Sequence, residues 1–159
     1  MIRIGQGVDV HPFDDFRPLF LGGVKISKRG GLAGHSDGDA VLHAITDALL
    51  GAAGAGDIGQ YFPSTDAQWK NADSTKFVAE AVRIINEMEA EISNVDVTII
   101  AQKPQIAPHR EAIGARIAEL LNIPRGHVNV KATTTDNLGF IGRGDGICAM
   151  AVALISTRG

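Results

Sequence analysis

The sequence predicts an α+β fold, a mixed β-sheet with helices packed on one face. Two observations carry this. Strand-like and helix-like segments follow the order β-β-α-α-β-α-β-β, which suits a layer of helices on a mixed sheet. The last strand, "ICAMAVALIS", is apolar at nearly every position, so both of its faces need cover. The helices can supply one cover and a partner subunit the other.

The elements follow in order. "IRIGQGVDV" alternates like a strand, and Pro12 stops it. "PLFLGGVKI" reads as a second strand with a turn or bulge at Gly22-Gly23. Residues 26–38 form a loop ending in "HSDGD". A helix is expected from Asp39 to Ala53, with Val41, Leu42, Ile45, Ala48, Leu49 and Ala52 as its apolar stripe and Ser36 or Asp37 as its cap. "GAGDIGQYFPSTDAQWKNAD" is a long polar, glycine-rich loop, a length often tied to function. A second helix runs from Ser74 to Ala90, capped by Asp73, with Phe77, Val78, Ala81, Val82, Ile85 and Met88 inward. Val95–Ala101 is a strand, Pro108–Leu121 a third helix and "HVNVKATTT" a strand. "DNLGFIGRGDG" is a loop leading into the final strand.

Length and composition bound the reading. The 159 residues suggest one domain, 1–159, large enough for a real core. A basic n-region with an apolar h-region is missing, no run approaches a membrane span, and the strand pattern starts at Met1. The lone Cys148 excludes an internal disulfide framework and a cysteine-based zinc site, which fits a reducing, cytoplasmic compartment. A net charge of −3 without a basic run leaves nucleic acid no electrostatic footprint. A polyanionic substrate must then be held by metals, backbone amides and a few cations. Nineteen glycines, about 12% against a usual ~7%, cluster in loops where the chain turns sharply or approaches something closely.

Asp9 and His11 stand two apart in a strand, so they share one face. Such a pair can be a salt bridge, an acid–base couple or two-thirds of a metal site. A chain with five His and 18 acidic residues carries about 0.6 such pairs by chance, so the pair alone decides nothing. His43 lies on the first helix with Asp39 at i−4 and Asp47 at i+4 on the same side. Packed near Asp9 and His11, it completes an N,N,O set with an open fourth position, the pattern of a catalytic zinc. Asp47 is then placed to orient its ring. A lone helical His is also commonly just a satisfied side chain.

His35 and Ser36 precede a helix N-terminus, which suits either an anion or ordinary capping. Asp57, between glycines, can receive a substrate hydroxyl or make a turn. Lys131, Thr133, Thr134 and Thr135 offer an ammonium and three hydroxyls, and Asp136 offers a carboxylate for a hard Mg²⁺. Three threonines in a row are equally good strand formers. Arg143 can pair with phosphate or with Asp145.

Taken together, "DVHPF", "HSDGDAVLHAITDALLGAAGAGDIGQYFP", "NVDVTIIAQKP" and "VNVKATTTDNLGFIGRGDGI" resemble the 2-C-methyl-D-erythritol 2,4-cyclodiphosphate synthase family of non-mevalonate isoprenoid biosynthesis. The likeness runs from Ile4 to about Leu154. It implies a homotrimer in which the sheets of three subunits meet, with active sites between subunits. It implies Zn²⁺ on Asp9, His11 and His43, and Mg²⁺ or Mn²⁺ on Asp136. It also implies conversion of 4-diphosphocytidyl-2-C-methyl-D-erythritol 2-phosphate, a cytidine diphosphate substrate, into the cyclic diphosphate and CMP.

Residue by residue, the resemblance gives His35 and Thr134 a part in stabilising the transition state. Asp9, His11, His35 and Ser36 lie against the substrate. Asp57, Ile58 and Gly59, with Phe62 to Asp66, match the methylerythritol-binding segment. Ala101 to Ala107, including Pro104, match the cytosine loop, and Thr133, Thr134, Thr135 and Asp136 match the phosphate segment. Phe140 and Arg143 match further substrate or central-cavity positions, where an isoprenoid diphosphate is a possible ligand. Asp136 and Asp145 stand where the family commonly has Glu, and Gln105 replaces a common basic residue. Two rivals remain: a zinc-dependent phosphohydrolase, which releases inorganic phosphate, and a non-catalytic nucleotide-binding trimer.

Overall fold

The computed structural model describes residues 1–157, so the last two residues of the expected 1–159 domain lie outside the described residues. Strand β1 (Ile2–Asp14) is followed by the short strands β2 (Leu19–Leu21), β3 (Val24–Ser27) and β4 (Gly31–Leu32). Helix α1 (Ala40–Ala53) and the single turn α2 (Ile58–Tyr61) come next, then α3 (Thr75–Glu87) and β5 (Ala90–Ile100). Helix α4 (Arg110–Leu121), β6 (Val128–Thr133), the single turn α5 (Gly139–Gly142) and β7 (Gly146–Thr157) complete the chain.

The main sheet has the order β4-β1-β7-β5-β6. Three of its pairings are antiparallel and β5–β6 is parallel, so the sheet is mixed as expected. The "PLFLGGVKI" segment is a correction. It folds as the hairpin β2–β3, apart from the main sheet, because Gly22 and Gly23 both take positive φ and reverse the chain. Three further boundaries moved. Pro12 does not stop β1, which runs on to Asp14, because the Pro12 carbonyl still accepts the Ala33 N–H at 2.8 Å. The second helix ends at Glu87 rather than Ala90, with Ser74 rather than Asp73 at its cap position, and β5 begins five residues earlier than the apolar run suggested. The expected loop after β6 holds the turn α5.

Helix α1 is buried nearly all round, not along one stripe: Ala40, Ala44, Thr46 and Leu50 are inside as well. It lies on β1 and β7, with α3 and α4 in the same layer. The residues beneath it are small, Gly5 and Gly7 on β1 with Ala149, Ala151 and Ala153 on β7. A Cβ at Gly5 would sit 1.9 Å from the Ala48 carbonyl oxygen, and one at Gly7 1.9 Å from that of Ala44. Only glycine lets this helix backbone approach so closely.

The opposite face of the sheet is open. Ile2, Ile4, Val8 and Val10 alternate with the helix-facing residues and are 71, 69, 50 and 45% exposed. The expectation that both faces of the last strand are buried therefore holds for its inner face, while Val152 on the outer face is exposed within one chain.

Candidate metal centre and ligand cavities

Asp9 and His11 point to the helix side of β1, and His43 reaches them from the first turn of α1. The glycine-permitted approach of α1 to β1 thus also sets the separation of these side chains. His11 Nε2 lies 2.6 Å from Asp9 Oδ2, and His43 Nδ1 lies 3.1 Å from the same oxygen. The two ring nitrogens are 3.2 Å apart. Among the described residues this is the one group of His, Cys, Asp or Glu whose three ligand atoms lie within 4.8 Å of each other.

The chemistry of the set favours a cation. The Ala33 carbonyl lies 2.8 Å from His11 Nδ1 and can only accept, so that nitrogen carries the hydrogen and a neutral ring keeps its Nε2 lone pair facing inward. A carboxylate oxygen and imidazole lone pairs held this close repel unless a proton or metal sits among them. Tetrahedral Zn²⁺ with bonds of ~2.0–2.1 Å places its donor atoms about 3.4 Å apart, so a small outward movement of the Asp9 oxygen suffices. Burial alone would raise the Asp9 carboxyl, but hydrogen bonds from His11 and His43 hold it below its ordinary value. Burial likewise opposes the His11 charge, and the Asp9 carboxylate outweighs it and raises the imidazole.

Two supporting residues act differently from what their sequence positions suggest. Asp47 does not hold His43; it accepts the Ile58 backbone N–H at 2.8 Å and anchors α2. The far nitrogen of His43 meets the hydroxyls of Ser36, at 3.0 Å, and Ser74, at 2.9 Å. The cap of α1 is Asp39, not Ser36 or Asp37. It is fully buried and accepts N–H bonds from Leu42, Gly22 and Gly23, tying the β2–β3 hairpin to the helix start.

Beside the triad is a cavity of about 190 Å³. His35, Ser36, Ile58 and Phe62, all marked in the sequence, line it with His11 and His43. Ser64, inside the matched 62–66 segment, lines it too, as do Trp69 and Phe77, which carry no ligand signal in the sequence. The rings of Phe62, Trp69 and Phe77 pack against one another at 4.4–5.7 Å, giving it an aromatic wall. His35 Nε2 faces the Asp66 carbonyl at 2.9 Å, which ties the loop before α1 to the loop before α3. Asp57 caps α2 by accepting the Gln60 N–H, with Gly59 inside that turn.

A second cavity, of about 350 Å³, gathers another group: Ala101, Pro104, Ala107, Thr133 and Thr134. Asp136 follows in a tight loop in which Thr134 Oγ1 accepts its backbone N–H and the Thr135 hydroxyl donates to the Leu138 carbonyl. Lys131 is turned elsewhere, paired with Asp96 on the neighbouring strand at 2.6 Å. Phe140 stands in α5, 43% exposed, and Arg143 pairs with Asp145 at 3.2 Å.

Register separates the two groups. Thr133 pairs with Ile100, Ile100 with Cys148, and Cys148 with Val10. Thr133 is therefore level with the Asp9–His11 pair but three strands away, about 14 Å at the usual interstrand spacing. One chain does not bring the threonine segment to the triad.

Fold and triad together define a class. The chain belongs to the YgbB family, whose profile matches residues 2–156. Among its relatives is the protein of Halalkalibacterium halodurans named 2-C-methyl-D-erythritol 2,4-cyclodiphosphate synthase. It is 56% identical over 155 residues, which cover 98% of this chain and 99% of the relative. A Plasmodium falciparum IspF structure in complex with CDP superposes with a TM-score of 0.87 at 38% identity, covering 99% of this chain and 97% of that one. The bifunctional IspDF of Campylobacter jejuni superposes with a TM-score of 0.96 at 42% identity, and this chain spans 43% of its length.

Proposed function

We infer that this chain is a cyclodiphosphate synthase. It converts 4-diphosphocytidyl-2-C-methyl-D-erythritol 2-phosphate into 2-C-methyl-D-erythritol 2,4-cyclodiphosphate and CMP. The observation that carries the reading is 56% identity along nearly the whole chain to a synthase of that name, in a chain that assembles the Asp9–His11–His43 triad. In the reaction an oxygen of the 2-phosphate attacks the β-phosphorus. The bond from that phosphorus to the bridging oxygen breaks, and CMP leaves with the electron pair.

Asp9, His11 and His43 would hold Zn²⁺, and Asp136 a Mg²⁺ or Mn²⁺ ion. Bound metal supplies Lewis-acid stabilisation of phosphate charge, the main demand of phosphoryl transfer. The residues of the chain do the positioning. Ile58 and Phe62, in the aromatic-walled cavity, enclose the methylerythritol portion, and Asp57 at the same turn receives its hydroxyls. Ala101 to Ala107 take the cytosine, and Thr133 to Thr135 bind the diphosphate by hydroxyl and backbone. His35 and Thr134 stabilise the charge that develops. Holding both phosphates in one folded substrate makes the attack intramolecular, which removes much of the entropic barrier.

The two residue groups stand about 14 Å apart on one chain, and an exposed apolar strip runs along β1. Both observations support a homotrimer whose active sites combine the triad of one subunit with the threonine loop of the next. A single Cys in 159 residues supports a reducing, cytoplasmic compartment. Among the described residues no helix is long and apolar enough to cross a membrane.

³¹P NMR of the protein with the cytidylyl substrate, Zn²⁺ and Mg²⁺ tests the reading. Coupled resonances of a cyclic diphosphate appearing together with CMP are expected. Inorganic phosphate as product would replace the synthase by a hydrolase. Binding of the substrate without turnover would replace it by a nucleotide-binding protein.

A further inference from the structure

Behind His43, on the side away from Asp9 and His11, stand Asp37 and Ser74. They come from different parts of the chain, the loop before α1 and the residue before α3. Their hydrogen bonds have a readable direction. Asp37 accepts the Ser74 backbone N–H at 2.9 Å and the Asp39 backbone N–H at 3.0 Å, so its carboxylate works as an acceptor. The Ser74 hydroxyl meets the same carboxylate. An ionised carboxylate only accepts, so the one hydroxyl proton of Ser74 is committed to Asp37. The Ser74 oxygen, 2.9 Å from His43 Nε2, is then left as an acceptor toward the ring. Ser74 is fully buried, which holds this arrangement away from solvent.

We propose that Asp37 and Ser74 are positioning residues that hold His43 in its Nε2–H tautomer and so present the Nδ1 lone pair to the metal. The proposal rests on the reading of Asp9, His11 and His43 as a zinc site. A neutral imidazole with its hydrogen on Nε2 has its lone pair on Nδ1, and Nδ1 is the atom that faces Asp9 and His11. The Ala33 carbonyl does the same for His11 through the other nitrogen. Both rings are thus oriented from outside by an acceptor, one a backbone carbonyl and one a hydroxyl polarised by a carboxylate. Ser36 also touches His43 Nε2, at 3.0 Å, but its hydroxyl proton has no such acceptor holding it, so Ser36 alone can face the ring as donor or as acceptor.

Ser74→Ala removes the committed acceptor. The Ser74 side chain makes no capping bond to α3, so the helix start is expected to survive. Two readouts are compared with those of wild type and Ser36→Ala. The first is the ¹H–¹⁵N signal of the His43 Nε2–H in zinc-loaded protein, where a hydrogen bond to Ser74 slows its exchange with water; in metal-free protein Asp9 and His11 face Nδ1 and compete for the ring hydrogen. The second is zinc affinity by competition with a chromogenic chelator. Wild type and Ser36→Ala are expected to show a slowly exchanging Nε2–H, and Ser74→Ala a rapidly exchanging one with zinc bound about 10–100-fold more weakly.

A zinc-loaded wild type whose Nε2–H exchanges freely would overturn the proposal without any variant. So would a Ser74→Ala protein that keeps the wild-type exchange rate and affinity. A wild type that binds no zinc would instead sink the zinc assignment on which the proposal rests.

Discussion

Asp9 and His11 shift in opposite senses, and the signs fix a pH window. His11 is raised above its ordinary 6.5, so its contribution to stability is complete below 6.5 and is lost as pH rises through the folded value. Asp9 is lowered from 3.8, so its contribution is complete above 3.8 and is lost as pH falls through the folded value. In chelator, the gap in thermal midpoint between wild type and His11→Ala is expected to be widest between about pH 4 and 6.5 and to narrow on both sides. A gap constant with pH would remove the ion pair from the account. Zinc must displace the His11 proton, so its apparent affinity is expected to fall as pH drops through the raised imidazole value. Competition titrations across pH measure this directly. At Asp136, exposed in its loop, Asp136→Ala is expected to raise the Mg²⁺ concentration for half-maximal turnover while leaving zinc affinity unchanged. An unaltered Mg²⁺ titration would reject the assignment.

The site depends on how closely α1 lies on β1, because His43 rides on one element and its two partners on the other. Gly7→Ala would put a methyl 1.9 Å from the Ala44 carbonyl oxygen, next to His43 in sequence, and the helix must move away. A loss of about 1–3 kcal/mol is expected, with weakened zinc binding even in protein that stays folded. Thermal melts with zinc titration separate the two effects, and a variant with wild-type affinity would show that the helix position does not govern the triad. The same dependence explains what the sequence made legible. The i, i+2 spacing in "DVH" at the end of the first strand placed Asp9 and His11 on one face, and helical spacing placed His43 inward. Ser74 and Trp69 gave no comparable signal: a hydroxyl before a helix looks like a cap, and a Trp in a polar loop looks like packing. Asp47 misled because an i+4 partner on a helix surface was closer in sequence than the serines that meet the ring from two other loops. Gly22-Gly23 marked a turn or bulge, but nothing in the apolar run showed that its two halves pair with each other apart from the main sheet.

At the scale of the whole molecule, the sequence supplied both halves of the ligand machinery but not their separation, which is a property of strand order. Three interstrand steps, about 14 Å, lie between Thr133 and the level of Asp9 and His11, and the outer face of β1 is apolar and open. A monomer rarely leaves such a face bare. If this face is the interface of a homotrimer, Val8→Glu with Val10→Glu is expected to sediment as a monomer and to lose turnover together with assembly. A sharper test uses two variants that are each inactive. His43→Ala removes the triad half of a site and Thr134→Ala the threonine half. If each site joins halves from neighbouring subunits, hybrid trimers place an intact triad beside an intact threonine loop. With equal mixing and random exchange, half the sites draw their triad from an intact chain and half of those meet an intact loop. About one quarter of wild-type turnover is therefore expected to return, since each trimer interface is used in one direction only. Hybrid trimers that sediment normally and stay inactive would place each complete site within a single chain. The 14 Å gap would then have to be closed by rearrangement of the loops around Thr134 and His35.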